Sequence, residues 1–264
     1  DEYNTILEQL KAKLDNGKYP MVLFALNNQG DTWNLAYLRM FGNQFFDEDG
    51  NIVLNDENGI KAAQWLKDIY EKGYTNPGAE SVSSNDANAM FQNQQLAISF
   101  TNSVLYNNLK ADMANGKLTA FDARLANIPS ESGDPLTFTY VTGSCVFNSG
   151  DETRMKVAKD FVKFYSSDPE LVKSSKNGIP VRSSVAELYK DENPLFAAYE
   201  QNSQYMFNFT GNVPGYSELR QVLYPELQAM YIGQKSAKEA VADYQEKGNE
   251  VIKNAKADSV IYQN

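Results

Sequence analysis

The stretch from Tyr19 to Trp33, YPMVLFALNNQGDTW, constrains the fold more than any other part of the chain. Pro20 closes the preceding segment, and Met21 to Leu26 is an unbroken apolar run of strand length. A strand apolar on both faces must be covered on both, which predicts a buried parallel strand flanked by helices. Asn27 to Asp31 then forms a polar turn, and a helix is predicted from Thr32. That turn lies at the carboxyl end of the strand, where open α/β sheets place their ligands. Asn27, Asn28, Gln29 and Asp31 supply hydrogen-bonding groups there with Trp33 beside them, a set suited to a neutral, hydroxyl-rich ligand. The same residues also suit an ordinary strand-to-helix connection, with Thr32 as N-cap and Trp33 in the core.

A chain of 264 residues can bury roughly three quarters of its unfolded surface, enough for one large domain or two lobes. Its net charge of −10, with the Lys and Arg dispersed, argues against a nucleic-acid partner. Histidine is absent, which excludes histidine general bases, Ser-His triads and His-ligated metals. Cys145 is the sole cysteine and forms no internal disulfide; its setting, TGSCVF, predicts a buried structural thiol. No apolar run approaches the ~18 residues of a membrane span. No signal peptide is visible, and a targeting segment is expected to have been removed or to lie upstream of Asp1.

Helical spacing of Tyr3, Ile6, Leu7, Leu10 and Leu14 predicts a first helix stopped at Gly17. The helix from Thr32 ends near Gly42, and Phe45 to Leu54 reads as a hairpin turning at Asp49-Gly50. Asn55 is placed to cap a helix with its stripe at Ile60, Ala63, Leu66, Ile69 and Tyr70, and NPG at Asn76 to Gly78 marks a loop. Ser84 is placed to cap a short helix through Phe91, and Gln95 to Phe100 is a second strand ending in the polar turn Thr101, Asn102, Ser103. A helix from Val104 to Met113 stops at Gly116, and Phe121 to Ile128 is a further candidate strand. Thr137 to Phe147 is β-rich but too long for one ordinary strand, so a crossing between lobes is expected, flexing at Gly143. From Asp151 the chain is mainly helical: one face carries Val157, Ala158, Phe161, Val162 and Tyr165, and Asp168-Pro169 starts a new helix. Glu187 to Tyr205 reads as broken helices, Thr210 to Gly215 as a second crossing, and Ser217 to Tyr231 and Ser236 to Ala255 as two closing helices.

Several chemical motifs fail on inspection. If Gly50 of DEDG were the invariant glycine of a calcium loop, the first ligand would be Phe45, which has no oxygen to give. Gly17-Lys18 and Gly116-Lys117 lack the upstream glycine and following Ser or Thr of a phosphate loop. Asn208-Phe209-Thr210 matches a glycosylation acceptor only by chance, and no spacing pairs two carboxylates as acid and base.

The order of these segments resembles the extracellular solute-binding proteins of the maltose-binding-protein type, which deliver sugars to ABC importers. The resemblance runs through FALNNQGDTW, the DEDGNIVLNDE hairpin, IKAAQWLKDIYEKG and MFQNQQLAISFTNS. It continues in AKDFVKFYSSDPE, NGIPVRSS and PGYSELRQVLYPELQAMYIGQKSAKEAVADYQ, and so covers nearly the whole chain. It implies an α/β, helix-rich, two-lobed periplasmic-binding-protein-like (type II) fold that closes on a sugar held by aromatic faces and polar side chains. By position, Asn28 and Asp31, with Trp33 beside them, fall in the family's first ligand loop. Asn102 and Tyr106 follow the AISF strand, where relatives often place a stacking tryptophan and this chain has Val104 and Tyr106. Tyr216 and Arg220 fall in a segment that faces the cleft in relatives.

Relatives begin with first-lobe elements that have no counterpart here, so the first lobe is expected to be incomplete in this chain. On that mapping 1–140 and 212–264 form the second lobe and 141–211 a returning fragment of the first. The resemblance further implies a carbohydrate ligand, ABC permease subunits as partners, and an extracellular or periplasmic place with any membrane attachment through an upstream lipid anchor. No cofactor is expected, and no metal, since the calcium-like run lacks its first ligand and there is no histidine. Two readings from other classes stand beside it: a glycan-acting hydrolase using paired carboxylates, and a helical sensor or interaction domain.

Overall fold

Residues 21–25 are buried throughout, and their side chains alternate between two cores. Met21, Leu23 and Ala25 join the main cluster, whereas Val22 and Phe24 join a second cluster with Ala87 and Leu96. That period of two, covered on both sides, is the signature of a doubly buried extended segment. The pairing is parallel: Tyr19 bridges Leu96, and the Ile98 N–H donates to the Pro20 carbonyl at 2.9 Å. On the other side the neighbour is a loop. The Met21 N–H donates to the Tyr74 carbonyl, that of Leu23 to Thr75 Oγ1 (2.7 Å) and Asn76 Oδ1 (3.1 Å), and that of Ala25 to the Ala79 carbonyl. Pro77 has no N–H and Gly78 is left-handed at φ 70°, so this neighbour cannot continue a ladder and side chains substitute for it.

The computed structural model describes residues 2–26, 30–138, 143–171, 183–188, 203–207 and 213–259, with the backbone alone at 30–33, 103, 138, 183, 186 and 203. Its helices are α1 (Glu2–Lys13), α2 (Gly30–Arg39), α3 (Glu57–Glu71), α4 (Ser84–Gln92), α5 (Ser103–Ala114), α6 (Glu152–Ser167), α7 (Ser183–Leu188), α8 (Tyr216–Tyr231) and α9 (Ala237–Asp258). Two short strands, β1 (Thr137–Phe138) and β2 (Met206–Phe207), accompany them. The chain divides into two units. One comprises Asp1–Phe100, Leu125–Thr139 and Phe207–Asn264; the other comprises Thr101–Arg124 and Tyr140–Met206.

In the first unit the main core gathers Leu7 of α1, Leu35 and Leu38 of α2, Leu66 and Ile69 of α3, Leu223 and Met230 of α8, and Tyr244 and Ile252 of α9. The expected hairpin forms, with Phe46 bridging Ile52 antiparallel and Gly50 at φ 76°. Asn249 of α9 serves as its outer edge, donating Nδ2 to the Ile52 carbonyl and accepting the Ile52 N–H at 2.7 Å. Two helix caps differ from expectation by one residue. Asp56, not Asn55, caps α3 by accepting the Gly59 N–H, and Ser83, not Ser84, caps α4 in a reciprocal box with Asp86. In both cases the neighbouring cap-forming residue competes, and the one three residues before a free helical N–H wins.

The second unit contains α5, α6 and α7. No residue of α6 is buried, and Phe161 and Tyr165 stack on each other at 5.9 Å between centroids. Asp168 starts the next helix as expected, accepting the Leu171 N–H at 3.0 Å. Three expectations are corrected. Residues 121–127 are not a strand; Ile128 instead bridges Leu136 across the SESGDP loop. Residues 137–138 are strand and 143–147 are not, because 143–147 meet no partner edge among the described residues. Cys145 is exposed rather than buried, since the segment that carries it lies on the surface. Residues 189–202 and 208–212, where a helix break and a crossing are expected, fall outside the described residues.

Candidate functional site

The site expected from sequence begins where the buried segment ends. Helix α2 starts at Gly30, so Thr32 lies inside it rather than capping it, and Asp31 and Trp33 lie in its first turn instead of in the preceding turn. A carboxylate in the first turn suits the positive end of the helix dipole, which favours an earlier start. Asn28 and the side chains of Asp31 and Trp33 fall outside the described residues.

Both flanks of residues 27–29 are fixed by side chains. Asn34, one turn beyond Asp31 and only 1% exposed, donates Nδ2 to the Phe24 carbonyl at 2.9 Å. Its Oδ1 accepts the hydroxyl of buried Tyr231 at 2.6 Å. Gln228 Nε2 spans two carbonyls, those of Ala25 (3.3 Å) and Glu80 (3.1 Å). The Leu26 N–H donates to the Val82 carbonyl at 3.1 Å. These bonds hold the end of the segment against both α8 and the 79–82 turn.

Helix α8 carries two further candidates. It starts after Gly215, left-handed at φ 77°, with Tyr216 as its first residue, half-buried against the main core. Arg220 follows one turn later and is also half-buried. At 1.5 Å rise per residue, Arg220 stands about 12 Å along the helix from Gln228, and Tyr216 about 22 Å from Tyr231. The middle of α8 is tied to α9 by Glu226, 3% exposed, which pairs with Lys235 and, at 2.5 Å, with Lys247. Lys235 also meets Asp243 at 2.5 Å, and hydrogen bonding to Asp243 and then Glu226 raises its pKa.

In the second unit Asn102 is the N-cap of α5, its Oδ1 accepting the Leu105 N–H at 2.9 Å. Tyr106 is half-buried on α5 and donates its hydroxyl to the Ala123 carbonyl at 3.3 Å. Both side chains therefore have structural work within their own unit. Asp31, Trp33, Tyr216 and Arg220 share the first unit, and Asn102 and Tyr106 share the second.

Among the described residues no cluster of three His, Cys, Asp or Glu side chains could hold a metal, and no helix is long and apolar enough to cross a membrane. The Asp47 carboxylate of the hairpin accepts the Asn51 N–H at 2.7 Å and Asn51 Nδ2 at 3.0 Å. Those bonds, the Asn51 side chain first, hold its pKa below the ordinary carboxylate value.

Comparison with known proteins places this geometry. A curated protein of Brucella abortus described as a binding protein is 21% identical over 255 residues, covering 96% of this chain and 60% of that relative. The chain thus spans about three fifths of the length of the curated relatives it matches. Among solved structures, maltose-bound T. maritima MalE3 matches at 18% identity and a TM-score of 0.70, over 94% of this chain and 65% of that one. An ABC transporter solute-binding protein of Thermotoga lettingae bound with α-D-tagatose matches at 15% identity and a TM-score of 0.74, over 95% and 63%. At such identities the likeness speaks for the fold, the helix-rich α/β type II fold of periplasmic binding proteins. The profile for bacterial extracellular solute-binding proteins matches residues 1–203, and the chain belongs to that family.

Proposed function

We propose that the chain binds a carbohydrate, most simply an oligosaccharide, outside the cell without chemical turnover, and hands it to ABC transporter permease subunits after hinge closure around the ligand. The observation that carries this reading is the buried parallel segment 21–25, pinned at its carboxyl end and followed in sequence by the polar residues of 27–31, in a chain of the solute-binding family. The sugars in the T. maritima and Thermotoga lettingae neighbours support the ligand class. In this proposal Asn28, Asp31, Trp33, Tyr216 and Arg220 meet the ligand from one lobe. Asn102 and Tyr106 meet it from the same lobe. The lobes are 1–140 with 212–264, and a returning 141–211; any membrane attachment runs through a lipid anchor upstream.

A thermal-shift screen over mono- and oligosaccharides tests the ligand class, since a ligand at a hundred times its dissociation constant adds about 2.7 kcal/mol. Asp31→Ala then tests the loop. A hydrogen bond to a charged group is worth roughly 1.5 to 3 kcal/mol, so its affinity should fall by about tenfold or more with the fold intact, and that of Asn28→Ala by less. Binding by Asp31→Ala within about a factor of two of the parent, less than any such bond is worth, removes this loop from the site. Oligosaccharides cut on incubation would favour the hydrolase instead.

A further inference from the structure

We propose that Arg39 is a positioning residue for ligand-driven closure, holding the returning strand β2 through Phe207 and so setting how tightly the closed protein keeps its ligand. The inference rests on the carbohydrate-binding reading and extends it to a side chain that need never touch the sugar. The chain passes between its two units four times: after Phe100, before Leu125, beyond β1 and before Phe207. Three of these passages are fixed on their first-unit side by the end of α2. Tyr37 meets Phe100 edge-on, at 4.6 Å between centroids. The Met40 carbonyl accepts the Glu131 N–H at 2.9 Å, within the loop whose Ile128–Leu136 bridge leads into β1. The Arg39 guanidinium lies over the Phe207 ring, 5.2 Å from its centroid. β1 and β2 pair with each other, so the hold on Phe207 reaches both strands.

Of the three contacts, that of Arg39 is the one packing does not explain. Tyr37 belongs to the core and Met40 offers its backbone, whereas a half-buried guanidinium costs free energy unless other groups replace its lost water. Among the described residues no carboxylate pairs with Arg39. Desolvation lowers its pKa, and its partners are the Asn43 carbonyl at 3.1 Å and the Phe207 ring. A methionine would fill the same space without that cost. What the cation adds is a grip on an aromatic face, stronger where water is partly excluded. The grip has a firm base. Asn43, 2% exposed, donates Nδ2 to the Val53 carbonyl at 3.0 Å and to Asp56 Oδ1 at 2.9 Å, which ties Arg39 to the hairpin and to the cap of α3. A strand already held in one place leaves closure less freedom to remove, and the ligand binds more tightly for it.

Arg39→Met keeps the stem and removes the cation, and Phe207→Leu keeps an apolar side chain and removes the ring. Titration calorimetry on the whole chain, with whichever of maltose, maltotriose, glucose and D-tagatose gives the largest thermal shift, should show affinity lowered about fivefold in each. The double variant should lose no more than either single one, because both changes remove the same contact. Arg39→Lys, which keeps a cation but not the flat guanidinium, should recover part of the loss. Hydrogen exchange without ligand should quicken in β2 in both single variants, while the Glu131 amide, held by Met40, and those of α9 stay as in the parent. Ile252→Val, a core truncation in α9 that costs stability elsewhere in the same unit, is the control: it should leave the affinity unchanged. Parent-like affinity in both single variants overturns the proposal, as do losses that add in the double variant, parent-like exchange in β2, or an equal loss of affinity in Ile252→Val. A parent that binds none of the sugars, with exchange in β2 still quickened by the variants, sinks the carbohydrate reading and leaves the hold on β2 standing.

Discussion

Three tyrosines in the first unit are held as neutral phenols by burial. Tyr3, stacked on Trp65 of α3 at 6.0 Å between centroids, has its pKa pushed up from 10.0 to about 12 by desolvation. Tyr37 is pushed well above 10.0 by burial and then by the neighbouring Tyr3, and Tyr231 is raised by burial alone. A group whose folded pKa is raised favours the folded state fully below its unfolded pKa and loses that contribution as pH climbs through the folded value. These three should therefore stay protonated at a pH where a free phenol loses its proton, and the stability they lend is lost as pH climbs from about 10 towards 12, unfolding the protein. Following phenolate absorbance together with circular dichroism checks this: smooth ionisation of all tyrosines with no unfolding step would contradict the burial. The same residues show what a sequence hides. Tyr231 and Asn34 look like any tyrosine and any amide on their helices, and only their meeting across 197 positions makes a fixed pair. Asn34, a polar residue amid the apolar side of α2, was the one signal available. Phe45 and Gln94 adopt left-handed backbone at φ 69° and 58°, for which the sequence holds no glycine and so gives no cue.

At the scale of elements the helices were legible and the strands only in part. Helices announce themselves through local spacing and caps, so α1, α3, α8 and α9 appear where the apolar stripes predict them. A strand depends on a partner edge supplied from far along the chain, and 121–127 and 143–147 carry strand-like residues without one among those described. The caps give a graded test. Ser236 and Glu239 close a reciprocal box at the start of α9, so Ser236→Ala should cost about 1 kcal/mol in a denaturant titration. Gly59, in the first turn of α3, is a harsher case. A Cβ there would stand 1.9 Å from the Leu54 carbonyl oxygen, a backbone atom that cannot step aside without moving the hairpin. Gly59→Ala should cost roughly 3 kcal/mol, at the upper end of overpacking penalties. A cost for Gly59→Ala no greater than that for Ser236→Ala would mean that hairpin and helix are less closely locked than this contact requires.

For the whole molecule the telling feature is α6. Its stripe of Val157, Phe161 and Tyr165 has the spacing of a helix made to be covered, yet Val157 is 64% exposed and Phe161 61%, and Phe147 nearby in sequence is 86% exposed. Scattered apolar residues on a surface mean little, but a helix with a continuous apolar stripe and no buried residue is a face without a partner among the described residues. The chain spans 63% and 65% of the two sugar-bound neighbours described above, which leaves room in that fold for polypeptide that these residues do not supply. We propose that such polypeptide, belonging to the first lobe, covers α6 in the working protein. The 264 residues by themselves should then self-associate and bind an apolar dye, and sugar binding should be far weaker than in the intact protein, because closure needs both cleft walls. Phe161→Ser separates the cases. In the 264-residue chain it should relieve association at a cost within about 0.5 kcal/mol, as for any exposed position. In the intact protein, with the face covered, the same change should cost roughly 3 kcal/mol or more, as a large core truncation does. A monomeric, dye-free chain with full-strength sugar binding, in which Phe161→Ser costs the same small amount in both settings, would show that α6 faces solvent by design.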